Sequence, residues 1–391
     1  MDFSPNPIMR RYNFLDIAKA ISILGMVYTH ILEEFLRYVS PSFQASWFSF
    51  FNHIRSIFIG ATGFMLIMGL SVHCSRKNSV RGFLKKGLNL MIWGLLLNIA
   101  RNLAYAICIG ITRPASLILL FMDENIFFFA GLTMWAFALL VKLKTKPWQF
   151  PVIAIVISLI GTVITPYLPH FSRLGTWIYF TSGHIDAIVG THFDVLKAAF
   201  TELFYDSCGY DGFPFFTWFF YPACGYFLGY YMVRCEDINS LMKKSFLVAL
   251  PCLIIAIFLN SSFHLGNIVF NFTKYEELGF SGICATAHSQ NFFDSILILL
   301  GAVTFFCVLH FVFSKAQTFN AVCSHIAKQL THIYVAQWII ISNLDTIFMK
   351  SDRFIYFSGS DVFLLYITIF VASYLVSILY TRLKKNLQNI R

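Results

Sequence analysis

The stretch RYNFLDIAKAISILGMVYTHILEEF, residues 11–35, decides the fold. A membrane-spanning helix needs about 20 mostly apolar residues, and this segment supplies them. Yet Lys19 and His30 sit inside it. At about 100° per residue, the eleven steps between them close to within roughly 20° of three full turns. The two therefore share one helix face, about 16 Å apart along the axis. Ser22, Glu33 and Arg37 fall within the same arc, roughly 80° wide. Lipid strongly disfavours such a polar stripe, so it must face protein or a water-filled cavity. Asp16 and Lys19 also interrupt the apolar run, and THILEEFLRYVS offers no small-residue cleavage site. The segment reads as an uncleaved first span rather than a signal peptide.

The rest of the 391-residue chain agrees. It is 58% hydrophobic and 12% charged, with mean hydropathy +0.69, whereas soluble domains carry about 25% charge. This composition predicts an all-α polytopic membrane protein. Ten candidate spans are readable, at about 14–36, 54–73, 83–107, 124–142, 149–168, 213–233, 245–263, 291–314, 329–348 and 361–381. With the N-terminus inside, 20 of the 29 Lys and Arg residues fall on inner segments, as the positive-inside rule requires. Both termini are then cytoplasmic. The formal charge of +10 follows from this bias and from contact with anionic lipid, so it does not call for a nucleic acid. One membrane domain over 1–391 is expected, with a long extracytoplasmic loop at about 169–212 and another at about 264–290. Without presequence character, the bacterial cytoplasmic membrane is the expected location.

The nine cysteines contain no CxxC pair. Cys108, Cys224, Cys252 and Cys307 fall in or beside apolar spans and behave as small hydrophobes. Cys208 and Cys284 lie in the outer loops, and spacing alone does not pair them. The loop stretch HIDAIVGTHFD holds His184/Asp186 and His192/Asp194, which is weak evidence for a metal site, and none is expected. No HExxH, no phosphate-cradling Gly loop and no GxSxG are present, which leaves ATP hydrolysis and serine hydrolase chemistry without support.

Taken singly, Lys19 reads as a cation snorkelling to the inner interface and His30 as a satisfied core histidine. Their common stripe changes the reading. A cation at the inner end suits a phosphorylated donor. A histidine near the outer end, with Glu33 one turn on, suits a general base held in one tautomer by a carboxylate. The separation is similar to the reach of the phosphopantetheine arm of coenzyme A.

RYNFLDIAKAISILGMVYTHI resembles the first helix of the transmembrane acyltransferases. Their glycan O-acyltransferase (acyltransferase-3) branch reads Arg, ten residues, His, where this chain has Lys19 and His30. Lysine keeps the charge but loses the bidentate fork. Other stretches are similar to a neighbouring branch, the heparan-α-glucosaminide N-acetyltransferase family. They are FIGATGFMLIMGLSVHCSRK (58–77), FLKKGLNLMIWGLLLNI (83–99), NIFFFAGLTMWAFALLVKL (125–143), FPFFTWFFYPACGYFLGYYM (213–232) and QLTHIYVAQWIII (329–341). In the last, the family often reads Tyr-x-x-His and this chain has Gln337. FQASWFSF stands where some members carry a His-x-x-Trp-Asn-Gly loop, without the histidine.

The resemblance implies transfer of an acetyl group from cytoplasmic acetyl-CoA to an amino sugar of the glucosamine type on an extracytoplasmic glycan. It makes His30 the catalytic base or acetyl carrier, with His53 in reserve and Glu33 orienting. It places Lys19, Arg81, Lys85 and Lys86 near the phosphates of CoA, although plain positive-inside topology also accounts for such cations. On the outer side, Asn98, Arg101, Asp123, Glu124 and Trp218 are the candidate acceptor contacts, with Trp177 as a further sugar platform. Arg101 could grip a carboxylate or sulfate. Its bland reading is interfacial snorkelling, and that of Asp123 and Glu124 is helix-dipole stabilisation. Expected partners are acetyl-CoA, the glycan and membrane lipids, and a homodimer is left open. Two alternatives remain. One is an O-acyltransferase of surface or lipid-linked polysaccharide. The other is a secondary transporter, for which the paired broken helices of a repeat are not found.

Overall fold

The computed structural model describes residues 12–35, 38–73, 79–110, 125–164, 213–266, 290–350 and 357–389, with 117, 121, 204 and 268 singly. Regular structure there is helical, apart from one isolated bridge between Val39 and Phe357. In chain order the helices are α1 (Asn13–Glu34), α2 (Pro41–Gln44), α3 (Trp47–Ile59), α4 (Ala61–His73) and α5 (Val80–Ile109). They continue as α6 (Ile126–Lys142), α7 (Gln149–Ile164), α8 (Phe215–Trp218), α9 (Phe220–Arg234) and α10 (Ile238–Phe263). The last three are α11 (Phe292–Phe313), α12 (Gln317–Lys350) and α13 (Gly359–Asn389). Six stretches are long and apolar enough to cross a membrane: α1, α3–α4 together, α5, α10, α11 and α13. Helices α6 and α7 are shorter and apolar.

Polar residues fix several helix starts by accepting otherwise orphaned N–H groups. Asn125 accepts from Phe127 and Phe128 at the start of α6, and Asp237 from Asn239 and Ser240 at α10. Asn291 and Asp294 form a reciprocal capping box at α11, the arrangement that satisfies two donors at once. Helix α5 stops at Gly110, whose φ of 72° is open to glycine.

Each of the ten apolar segments read from the sequence falls on helix, and the boundaries differ for local reasons. The segment at 54–73 begins earlier, at Trp47, and breaks at Gly60. Ser56 and Thr62 flank the break with hydroxyls bonded to the carbonyls of His53 and Ile57, a competition with the helical ladder that bends helices. The segment at 213–233 is split at Phe219, because Pro222 has no N–H to bond the carbonyl four residues back. Helix α12 starts at Gln317, well before the expected 329, and α13 runs on to Asn389 through the polar TRLKKNLQN.

Helix α1 is the centre of the bundle. It packs on α12 most extensively, and also on α3, α11, α13 and α4. Apart from Asn13, every residue from Tyr12 to Phe35 is buried or half-buried. Helices α10 and α13 form part of the perimeter, presenting Leu247, Val248, Phe258, Leu364 and Leu375 outward. The polar first helix is therefore sheathed in protein, as its stripe required, while apolar side chains meet the lipid.

The tightest seam joins α4 to α9. A Cβ on Gly69 would collide with the carbonyl of Pro222, and one on Gly225 with the carbonyl of Leu66. Glycine at both positions lets the two backbones touch, which is how membrane helices pack without a hydrophobic driving force.

Candidate active site

His30 lies in the C-terminal half of α1, half-buried. Its Nδ1 is 2.8 Å from the Nε2 amide nitrogen of Gln337 on α12. The Trp338 ring lies over the imidazole at a centroid distance of 4.1 Å and 32°. Tyr334 approaches edge-on at 5.8 Å. Residues 334, 337 and 338 stand at i, i+3 and i+4, so one face of α12 presents all three to α1. All three are buried, and Gln337 has no exposed surface. The orienting contact found at Nδ1 is thus an amide on another helix, 307 residues along the chain, where the sequence suggested Glu33. Behind Tyr334 stands Phe127 of α6, with ring centroids 5.3 Å apart.

Arg101 joins this cluster from α5. Its guanidinium lies over the Trp338 ring, 4.4 Å from the centroid, a favourable cation–π geometry. Arg101 and Glu33 both lie within electrostatic reach of the Tyr334 hydroxyl. The structure therefore brings together His30, Glu33 and Arg101 of the sequence-derived set, and adds Tyr334, Gln337 and Trp338. For Gln337 a signal was present: a glutamine inside an apolar span is costly unless it has a partner.

Below this cluster, Lys19 is half-buried on the same helix. Arg81, Lys85 and Lys86 occupy the first two turns of α5, with Arg81 and Lys85 exposed and Lys86 half-buried beneath a 5.9 Å contact between its Nζ and the Phe83 ring. Cations at a helix N-terminus oppose the macrodipole, so helix stability does not account for them. Topology does, and so would a bound phosphate, which uses the same N-terminal amides.

Two expected acceptor contacts are corrected. Asn98 has no exposed surface. Its Oδ1 accepts from Asn125 Nδ2 at 2.8 Å, and its Nδ2 donates to the Phe121 carbonyl at 3.1 Å. Asn125 also donates to the Gly94 carbonyl at 3.1 Å. Asn98 ties α5 to the start of α6, with both the oxygen and the nitrogen of its buried amide engaged there. Trp218 is 2% exposed, enclosed by Phe213, Tyr221 and Phe129, and is core rather than a platform. Ser22, placed in the polar stripe, donates to the Ile59 carbonyl at 2.5 Å. It satisfies the end of α3 where that helix breaks. His53, the reserve base, is buried in α3. Asp123, Glu124, Trp177, Arg37, the two His-x-Asp pairs, Cys208 and Cys284 lie outside the described residues.

One cation escaped the sequence reading. Arg55, in the apolar α3, donates through Nη2 to the Gly25 carbonyl at 3.0 Å and to Thr29 Oγ1 at 3.5 Å. Any side chain on Gly25 would occupy the place of this guanidinium. A lone arginine in an apolar span was the available clue.

No curated protein and no solved structure matches the chain. The model of an acyltransferase domain family matches residues 12–382. The match takes in α1 with its Lys19–His30 stripe, α5 with Arg101, and the Tyr334–Gln337–Trp338 face of α12. With nearly the whole of this helical bundle inside one family model, the chain belongs to the acyltransferase-3 family and is a membrane acyltransferase.

Proposed function

We propose that this acyltransferase moves an acetyl group from cytoplasmic acetyl-CoA to a hydroxyl of a glycan on the far side of the membrane, with His30 as the general base. The observation that carries the reading is the His30 environment. An imidazole oriented by an amide and backed by Trp338 stands about 16 Å above Lys19 on one protein-sheathed helix. That spacing suits a thioester delivered on a pantetheine arm whose phosphates stay at the inner face, near Lys19, Lys86 and the exposed Arg81 and Lys85.

In the reaction, His30 Nε2 takes the proton of the acceptor hydroxyl as its oxygen attacks the thioester carbonyl. The C–S bond breaks, and the leaving thiolate takes a proton from the imidazolium, so the histidine ends as it began. A two-step route, in which the imidazole nitrogen first carries the acetyl group, uses the same atoms. Arg101, held over Trp338, is placed to attract an anionic acceptor such as a uronate or sulfated sugar. Family membership supports the hydroxyl acceptor over the amino sugar, because the Lys19–His30 spacing is similar to the Arg-x10-His pattern of the O-acyltransferase branch, with lysine in place of arginine.

The test is transfer from labelled acetyl-CoA by the purified protein in detergent, to a panel of neutral, anionic and glucosamine-ended oligosaccharides, with His30→Ala alongside. Transfer to hydroxyls that is lost in the variant supports the proposal. Transfer to amines alone would return the acceptor to the N-acetyltransferase reading. No transfer and no thermal stabilisation by CoA would overturn the enzyme reading in favour of a transport path along α1.

A further inference from the structure

We infer that Gln337 is the positioning residue for His30 and sets which of its ring nitrogens carries the proton. The inference rests on the reading of His30 as the base. A glutamine amide has a donor end and an acceptor end, so it can meet Nδ1 in two ways. In the structure the NH2 end faces Nδ1. In a neutral imidazole Nδ1 is then the acceptor and the proton sits on Nε2. In that state Nε2 is a hydrogen-bond donor and is closed as a base. The other amide atom, Gln337 Oε1, is buried with no hydrogen-bond partner among the described residues. A half-turn of the amide about its last torsion brings this oxygen to Nδ1. It then accepts Nδ1–H and leaves the Nε2 lone pair open to the acceptor hydroxyl.

The buried, unpartnered oxygen is the sign that the observed orientation is one of two. Buried polar atoms are ordinarily bonded, and this one has a bond available across a single torsion. The two orientations match two states of the ring. With the oxygen on Nδ1–H, Nε2 is free to take the hydroxyl proton, and the imidazolium so formed keeps Nδ1–H on that oxygen while Nε2–H returns its proton to the departing thiolate. With the nitrogen on a bare Nδ1, as in the structure, the neutral ring rests with its proton on Nε2. Because the amide is neutral, it selects a tautomer without fixing a positive charge on the ring, as a carboxylate would. The charged and titratable groups that meet at this cluster are Glu33 on α1, Tyr334 on α12 and Arg101 on α5, and the packed elements also carry Lys19 and Tyr28 on α1, Asp345 on α12, His53 and Arg55 on α3 and Tyr366 on α13. None of these changes in the variants below, so a difference among the variants reports position 337.

The experiment uses the full chain in detergent. Modification of His30 by diethylpyrocarbonate is followed by mass spectrometry as a function of pH, in the wild type, Gln337→Glu and Gln337→Leu, with acetyl transfer measured on the same samples. In Gln337→Glu a carboxylate favours the imidazolium. The pH midpoint of His30 modification is expected to move alkaline by one unit or more, and the pH profile of transfer to move with it. In Gln337→Leu the tautomer is unguided, and transfer is expected to fall more than tenfold with His30 still open to reagent. Identical midpoints in the wild type and Gln337→Glu would overturn the inference, and this comparison stands even if the leucine variant does not fold. A shifted midpoint in a protein that transfers no acetyl group would keep the Gln337–His30 pairing and refute the acyltransfer reading, so the two failures are separable.

Discussion

Two helix seams of this bundle are built on opposite principles. Between α4 and α9, Gly69 and Gly225 remove side chains so that backbones touch. Between α1 and α12, side chains fill the gap, and they are polar or aromatic: His30, Gln337, Trp338 and Tyr334. The first seam leaves no room for a side chain at either glycine. The second keeps a titratable ring inside the membrane, with one buried oxygen unmatched. A membrane protein can make rigidity from glycine and dispersion, and can confine the costly polar groups to the helix that lipid never reaches. The difference predicts a division of labour: one seam sets stability, and the other sets rate.

The sharpest way to break that division is His30→Ala. General base catalysis contributes about 10²–10⁴-fold, so acetyl transfer should fall by about a thousandfold while the melting temperature in detergent changes little. A variant that loses stability as steeply as activity would make His30 a packing residue and dissolve the contrast.

Gly225→Leu is the converse. A side chain there meets the Leu66 backbone, which cannot swing aside. Overpacking typically costs about 1–3 kcal/mol, and more where backbone is the obstacle. Thermal unfolding in detergent should shift down by several degrees or more, with the KM values of the remaining folded protein unchanged. A loss of kcat at unchanged stability would show that the α4–α9 seam reaches the site.

How much of this contrast could be read beforehand depends on separation along the chain. The Lys19–His30 stripe lies within one helix, so periodicity alone reveals it, along with its need to be sheathed. The ten apolar segments are likewise local signals. Gln337, which pairs with His30, is 307 residues away, and although a glutamine in an apolar span marks itself as costly, no local pattern says which residue it meets. Asn98 was misread for the same reason. An asparagine at the outer end of a span looks free until Asn125, on the next helix, is seen to bond it. Trp218 read as a candidate sugar contact, and only packing puts Phe213, Phe129 and Tyr221 around it. Arg55 was overlooked because its seat is made by the absence of a side chain at Gly25. Helix-scale features were legible, and the contacts that join helices were not.

Lys19 sharpens the contrast along α1 itself, between this cation and His30, the proposed base. Lys19→Gln should raise KM for acetyl-CoA about tenfold, a loss of about 1.4 kcal/mol, and leave kcat within about twofold. Lys19→Arg keeps the charge and should retain most of the affinity, though the two cations bond phosphate differently. Steady-state kinetics with varied acetyl-CoA decides this. An unchanged KM in Lys19→Gln would detach the donor from α1 and move it to the Lys85 and Lys86 region of α5.

The smallest effects separate polar residues that hold the fold from those proposed to react. Ser22 shares the arc of Lys19 and Glu33, yet its hydroxyl is spent on the Ile59 carbonyl. Asn98 sits one turn before Arg101, yet both ends of its amide are engaged. Ser22→Ala and Asn98→Ala should each lower stability by about 1–3 kcal/mol, the cost of leaving a buried partner unsatisfied. Neither should alter the KM of donor or acceptor, read from kinetics normalised to folded protein. Asn98→Ala should cost more, because Asn125 would lose its partner while still capping α6. A selective rise in acceptor KM in Asn98→Ala would restore Asn98 to the sugar site. It would also mean that the α5–α6 junction, and not the α1–α12 seam alone, lines the path of the acceptor.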